Sequence, residues 1–206
     1  MRTFIAVDVP DNVKIAVDEY LASIRGDMDK NIKWVNRENM HFTIKFLGEI
    51  RKSELSAIKE CVEQTARDFD PFQIELSGFG VFPSESNPRI FWIGTGIGGD
   101  TLLDIYQDME TTLENCGYDR DSKTFSPHLT IGRVKKYKKA IFPERIVDFP
   151  DTAFEARGLS IIKSTLTPEG PIYEKIFHAP FEQDKVEVKT VSVENENNIY
   201  DMVEKA

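Results

Sequence analysis

The spacing of apolar residues changes several times along the chain, and each change marks a predicted element. Residues 2–9 are largely apolar, stop at Pro10 and read as a strand. Beyond Pro10 the period lengthens to that of a helix. Asp11 is the expected N-cap, Val13, Val17, Tyr20, Leu21 and Ile24 form the stripe, and the helix ends near Gly26. Short extended runs follow at 32–35 and 40–47, the second stopped by Gly48. A second helix is predicted over 53–69, with Leu55, Ile58, Val62 and Phe69 inward and Pro71 forbidding its continuation. Strands are predicted at 72–77 and 89–94, with a turn-rich segment at 82–88 between them. Asp100 is the expected cap of a third helix, with Leu102, Ile105, Tyr106, Met109 and Leu113 as its stripe and Gly117 as its stop. The last strands are predicted at 128–134, 154–164 and 172–178. No low-complexity linker divides these elements, so the expectation is one domain over 1–181. Residues 182–206 change to a polar pattern and read as a C-terminal extension.

Composition narrows the class. The 206 residues are 40% hydrophobic with 14 Phe, enough for a sizeable core, and 30% charged, as in a soluble protein. Phe4 to Val7 is an apolar run of only four residues before Asp8, too short for a signal peptide. A membrane-crossing helix would need about 20 apolar residues, and no such run is found. Two cysteines and three histidines exclude a disulfide framework and a four-cysteine zinc site. Cys61 and Cys116 fall in helical patterns and are expected as reduced thiols packed as small hydrophobes, which points to the cytoplasm.

The histidines carry the chemistry. His41-Phe42-Thr43-Ile44-Lys45-Phe46-Leu47-Gly48 and His128-Leu129-Thr130-Ile131-Gly132-Arg133-Val134-Lys135 both open with His, apolar, Thr, apolar. At this composition a given His meets that pattern roughly 2% of the time, so two hits among three histidines are a roughly one-in-a-thousand event. On a strand, alternate side chains share a face, so His41 pairs with Thr43 and His128 with Thr130. Phe42, Ile44 and Phe46 are then expected to point into the core, and Lys45 to share the His41 face about 13 Å away. Two imidazoles on opposite sides of one centre can take a proton from water and give one to a departing oxygen. Two hydroxyls between them can hold the other oxygens of a phosphate. No third ligand at suitable spacing supports a zinc site instead.

With these motifs the sequence resembles the two-histidine (2H) phosphoesterases, and within them the RNA 2′,3′-cyclic phosphodiesterases once called the 2′-5′ RNA ligase family. The resemblance spans about 1–181. It rests on Arg2-Thr3-Phe4-Ile5-Ala6-Val7, on Lys33-Trp34-Val35 before the first motif, and on Phe125-Ser126-Pro127 before the second. Ser164-Thr165-Leu166 and Gly170-Pro171-Ile172-Tyr173 extend it. It implies an α+β bilobal fold, with two antiparallel sheets and outer helices around a central cleft, pseudo-two-fold symmetric. It also implies opening of RNA 2′,3′-cyclic phosphates to 2′-phosphomonoesters with no cofactor and no metal. By the same resemblance His41 is the proton donor, His128 the proton acceptor, and Thr43, Thr130 and Arg133 bind the substrate. Strict alternation turns Arg133 away from His128 unless the strand twists, bulges or ends. The implied partner is RNA with a terminal 2′,3′-cyclic phosphate, tRNA fragments included, met by a monomer without a membrane. The same residues would also serve reverse 2′-5′ ligation or another cyclic phosphodiester, and a cleft without turnover would be an RNA-end binding module.

Charge and aromatics complete the reading. Residues 120–139 hold seven basic residues and one acid, a charge of +6, which leaves −15 for the rest of a chain whose net is −9. That segment, with Tyr137 inside it, can steer a polyanion, but the acidic remainder favours a strand end over a long nucleic acid. Trp34 and Phe125 are candidates for stacking on a base. His178 lacks the motif and reads as structural.

Overall fold

The computed structural model describes residues 1–25, 30–136, 138–140, 152–168 and 170–182. In chain order it runs β1 (Arg2–Asp8), α1 (Asp11–Ile24), β2 (Ile32–Trp34), β3 (His41–Glu49), α2 (Leu55–Arg67), β4 (Phe72–Ile74) and β5 (Leu76–Phe82). Then follow β6 (Ile90–Thr95), α3 (Gly99–Asn115), β7 (Leu129–Val134), β8 (Phe154–Ala156), β9 (Gly158–Leu166) and β10 (Pro171–Pro180).

The architecture is α+β and antiparallel. Its main sheet has the order β10-β9-β1-β3-β7-β6-β5, with β2 also on β7; β4 and β8 form a separate two-stranded sheet. The main sheet is two halves. One is β10-β9-β1-β3, the other β7 with β2, β6 and β5, and between β3 and β7 the described pairing is Phe42 with Leu129. The expected two lobes are therefore present; their strands pair at one described residue pair, and one hydrophobic core continues beneath both.

Each face of β1 has its own environment, because its side chains alternate. Ile5 and Val7 belong to the main core with α1, α2 and α3, where Val13, Val17, Ile58, Val62, Leu102, Ile105 and Met109 are buried. Phe4 and Ala6, on the other face, form a small cluster with Ile162 and Tyr173. That second face carries the first motif.

Several expected boundaries shift. The run 72–77 is two strands, β4 and β5, and β5 continues to Phe82, where glycines weaken the strand signal. The run 154–164 breaks at Arg157, which separates β8 from β9. Neither Asp11 nor Asp100 caps its helix. Pro10 precedes α1 and Gly98 precedes α3, while both acids sit in the first turn, where they favour the helix dipole. Gly98 has φ +82° and lies so close to Gln73 that a Cβ would meet its carbonyl oxygen at 2.3 Å, so only glycine fits. The expectation of two separate thiols is also corrected: Cys61 on α2 and Cys116 after α3 are joined as a disulfide. Their separation in sequence hides the fact that α2 and α3 pack against each other. The expected extension lies, beyond Glu182, outside the described residues, as does Tyr137.

Candidate active site

β3 opens with His41, and β7 begins directly after His128. Phe42 and Leu129 face each other across the joint and are buried on the core side. Continuing that antiparallel register by one residue sets His41 across from Thr130 and Thr43 across from His128. All four motif side chains thus share the face opposite Phe42 and Leu129. The halves are related by a local two-fold through this pair.

Both motif strands bulge at the same place. Ala6 faces Thr43 and Ile5 faces Lys45, which leaves Ile44 as the extra residue in β3. Trp92 faces Thr130 and Phe91 faces Gly132, which leaves Ile131 as the extra residue in β7. An extra residue reverses the alternation beyond it. Two expectations are corrected as a result. Lys45 turns inward, 3% exposed, and pairs with Glu110 at 2.5 Å and Asp121 at 2.9 Å while donating to the Asp119 carbonyl. Phe46 turns outward, 58% exposed, onto the His41 face. The same reversal carries Arg133 onto the His128 face. Its charge disfavours the imidazolium form of both His41 and His128, and it also acts on Tyr173.

Hydrogen bonds select the tautomer of each imidazole. His41 Nδ1 lies 2.7 Å from the Asn39 carbonyl, and His128 Nδ1 lies 2.7 Å from the Ser126 carbonyl. A carbonyl only accepts, so both Nδ1 atoms carry hydrogen and both Nε2 atoms are left for chemistry. His41 Nε2 is 3.0 Å from the Thr43 hydroxyl, which donates to it when the ring is neutral.

Aromatic walls hold the rings. His41 stacks on Phe4 at 4.7 Å and meets the edge of Tyr173 at 5.4 Å. His128 meets Phe82 edge-on at 5.0 Å, and Trp92 lies 6.3 Å away. Burial against these walls is the main reason that His41 is lowered from its ordinary 6.5 to about 4; His128 is lowered for the same reason. Asp8, paired across the sheet with His41, opposes that shift. Its carboxylate accepts from the Ser160 hydroxyl at 2.6 Å and from Lys175 at 2.7 Å. His178 Nδ1 reaches the Ser160 oxygen at 3.0 Å, so it sits in this support network away from the motif pair. Sequence reasoning missed Phe4, Asp8, Phe82, Trp92 and Tyr173. For Phe4 and Asp8 the signal was available, because alternation along β1 places them on one face.

The family model for LigT-like phosphoesterases matches residues 7–92 and 97–173. The chain belongs to that family. An RNA 2′,3′-cyclic phosphodiesterase of Thermotoga maritima is 38% identical over 188 residues, covering 88% of this chain and 96% of the relative. One of Methanocaldococcus jannaschii is 37% identical over 182 residues, covering 85% and 98%. Among solved structures, TT0787 of Thermus thermophilus aligns with a TM-score of 0.74 at 26% identity, over 88% of this chain and 98% of that one. E. coli LigT complexed with 3′-AMP shares the fold, with a TM-score of 0.72 at 18% identity and the same coverage.

In this LigT-like phosphoesterase the two stacking candidates read from sequence are already engaged. Trp34 lies under the Arg25 guanidinium at 5.5 Å, and Phe125 stacks on Tyr106 at 4.3 Å, nearly parallel. The basic segment is partly committed as well. Arg120 bonds to Glu114 at 2.8 Å, and Lys135 donates to the Lys30 carbonyl at 2.7 Å. No helix among the described residues is long and apolar enough to cross a membrane.

Proposed function

We propose that this LigT-like phosphoesterase hydrolyses the 2′,3′-cyclic phosphate ends of RNA to 2′-phosphomonoesters, using His41 and His128 as the acid and base of a metal-independent reaction carried by one domain over 1–181. The names of its relatives support the substrate. One observation carries the mechanism: two histidines with the same tautomer present Nε2 from strands related by a local two-fold.

Neutral His128 takes a proton from water through Nε2 while the water oxygen attacks phosphorus. The bond from phosphorus to the 3′ oxygen breaks in line, and His41 gives its Nε2 proton to that oxygen; burial keeps this ring neutral in the free protein, and the bound phosphate anion favours the imidazolium form the step requires. The products are a 2′-phosphate and a free 3′ hydroxyl. The two histidines end with exchanged protonation states and reset with solvent. Thr43 and Thr130 donate to the non-bridging oxygens once the Thr43 hydroxyl is released from His41, and Arg133 balances the phosphate charge.

Incubation of the purified protein in EDTA with an oligonucleotide ending in a 2′,3′-cyclic phosphate is expected to give the 2′-phosphate, separable from the 3′ isomer by chromatography. His41→Ala and His128→Ala should each lower kcat by about 10²-fold or more. No product from the unaltered protein, or full activity in both variants, overturns the proposal.

A further inference from the structure

The local two-fold that relates the motif strands relates their neighbours as well, so β1 beside β3 corresponds to β6 beside β7, and β9 to β5. Asp8 faces His41 across β1 and β3, Ala6 faces Thr43, and Ser160 of β9 faces Ala6. In the second lobe Trp92 faces Thr130, and Gly80 of β5 faces Trp92. Ile93 faces Leu129, and continuing that register by one residue sets Gly94 opposite His128. The lobes thus match at the histidines and threonines and differ beside them. Where the first carries Asp8, Ala6 and Ser160, the second carries Gly94, Trp92 and Gly80.

The difference is one of charge. On the first lobe the Asp8 carboxylate accepts from Ser160 at 2.6 Å and from Lys175 at 2.7 Å, with His178 Nδ1 3.8 Å away. On the second lobe the Trp92 indole covers the corresponding ground. A Cβ at Gly80 would come within 2.1 Å of that ring, and one at Gly94 within 3.2 Å of it and 2.9 Å of the Ser77 carbonyl oxygen. The charge that acts on His128 is that of Arg133. Those that act on His41 are Asp8 on β1, Lys14 on α1 and Arg133 on β7, with Tyr173 of β10 against the ring. Both cations disfavour an imidazolium there, and of the three charges Asp8 is the one that favours it.

We propose that Asp8 is a positioning residue for the reaction, a fixed counter-charge that lets His41, and not His128, carry the proton given to the leaving oxygen. This rests on the phosphodiesterase reading above and adds the residue that places the acid on the first lobe. Paired positions of antiparallel strands lie about 4.5–5.5 Å apart at Cα, close enough for a carboxylate to stabilise an imidazolium. Nδ1 of His41 is already given to the Asn39 carbonyl, so Asp8 acts by its field across the sheet and leaves Nε2 free for the substrate. Ser160 and Lys175 hold the carboxylate where that field is needed.

The test follows the imidazole signals of the isotope-labelled protein by NMR through a pH titration with 2′-AMP bound, a 2′-phosphomonoester of the product class. With three histidines in the chain, His128→Ala and His178→Gln assign the signals. In Asp8→Asn the His41 pKa is expected to fall by about half a pH unit or more while that of His128 holds. On the alkaline side kcat should fall with it, about threefold for each half pH unit, with KM little changed. Asp8→Glu keeps the charge and should restore both, whereas Asp8→Ala removes it without introducing an amide and should repeat the loss. A change of packing alone would move both histidines together or neither. An unchanged His41 pKa in Asp8→Asn and Asp8→Ala, or an equal fall at His128, overturns the counter-charge and leaves the phosphodiesterase reading standing. No turnover of a cyclic phosphate end by the unaltered protein overturns the underlying reading itself, whatever the titration shows.

Discussion

His41 and His128 hold the same hydrogen bond to a carbonyl two residues upstream, yet their surroundings set when each is charged. Burial lowers both below the ordinary 6.5, His41 to about 4. On the proposed mechanism turnover needs one ring charged and the other neutral, so activity falls as pH rises through the higher of the two pKa values and the last imidazolium is lost. Since kcat/KM reports the free enzyme, its optimum is expected below pH 6.5. A bound anionic phosphate favours the imidazolium form, so kcat should peak at a higher pH than kcat/KM. Paired pH–rate profiles check this, and a kcat/KM optimum above pH 7 would contradict burial as the controlling effect. At this scale the motif residues were legible because His and Thr precede the bulge, where simple alternation holds. Arg133 and Phe46 were not, because one unpaired residue in each strand reverses the face and leaves no mark in the apolar pattern.

The bulge in β3 also explains how a lysine comes to be buried. Lys45 ties β3 to Glu110 on α3 and to Asp121 beyond it. Burial disfavours its charge, but bonds to Glu110 and Asp121 outweigh that and raise its pKa. A buried pair contributes little beyond a well-packed apolar one, whereas a lone buried charge is costly. Lys45→Met should therefore destabilise the protein by about 3–5 kcal/mol, and Lys45→Met with Glu110→Leu should recover most of that. Denaturant unfolding of the two variants measures the difference; equal losses would mean that packing, not charge, dominates the site. Elements that bury a periodic stripe, such as α3, were read from the sequence nearly to their ends. β5 and the break between β8 and β9 were not, because there glycine and tertiary pairing, not local periodicity, decide where strands run. The Lys45 contact follows from the same cause: nothing local marks a partner 65 residues away in sequence.

At the scale of the whole molecule the pseudo-two-fold was implied by the family resemblance that the repeated motif carries, and the pairing of the two motif strands with each other came from the structure. What the sequence did not reveal is how narrow their joint is, a pairing at Phe42 and Leu129. The chain is −9 overall, and its +6 segment spends part of its charge within the protein, Arg120 on Glu114 among them. Arg133 is the residue of that segment whose charge reaches both histidines. A ligand gripped at its terminal phosphate meets one or two cations, whereas a tracked strand would meet many. For single strands the logarithmic salt slope is about −0.7 per phosphate neutralised, so log kcat/KM against log salt should fall with a slope of about −1. Lengthening the RNA from a few nucleotides to about twenty should change kcat/KM by less than about threefold. Steady-state rates across a salt series, at two RNA lengths, check both. A slope near −4, or affinity that grows with length, would mean that the basic segment follows the backbone, and that recognition extends well beyond the strand end.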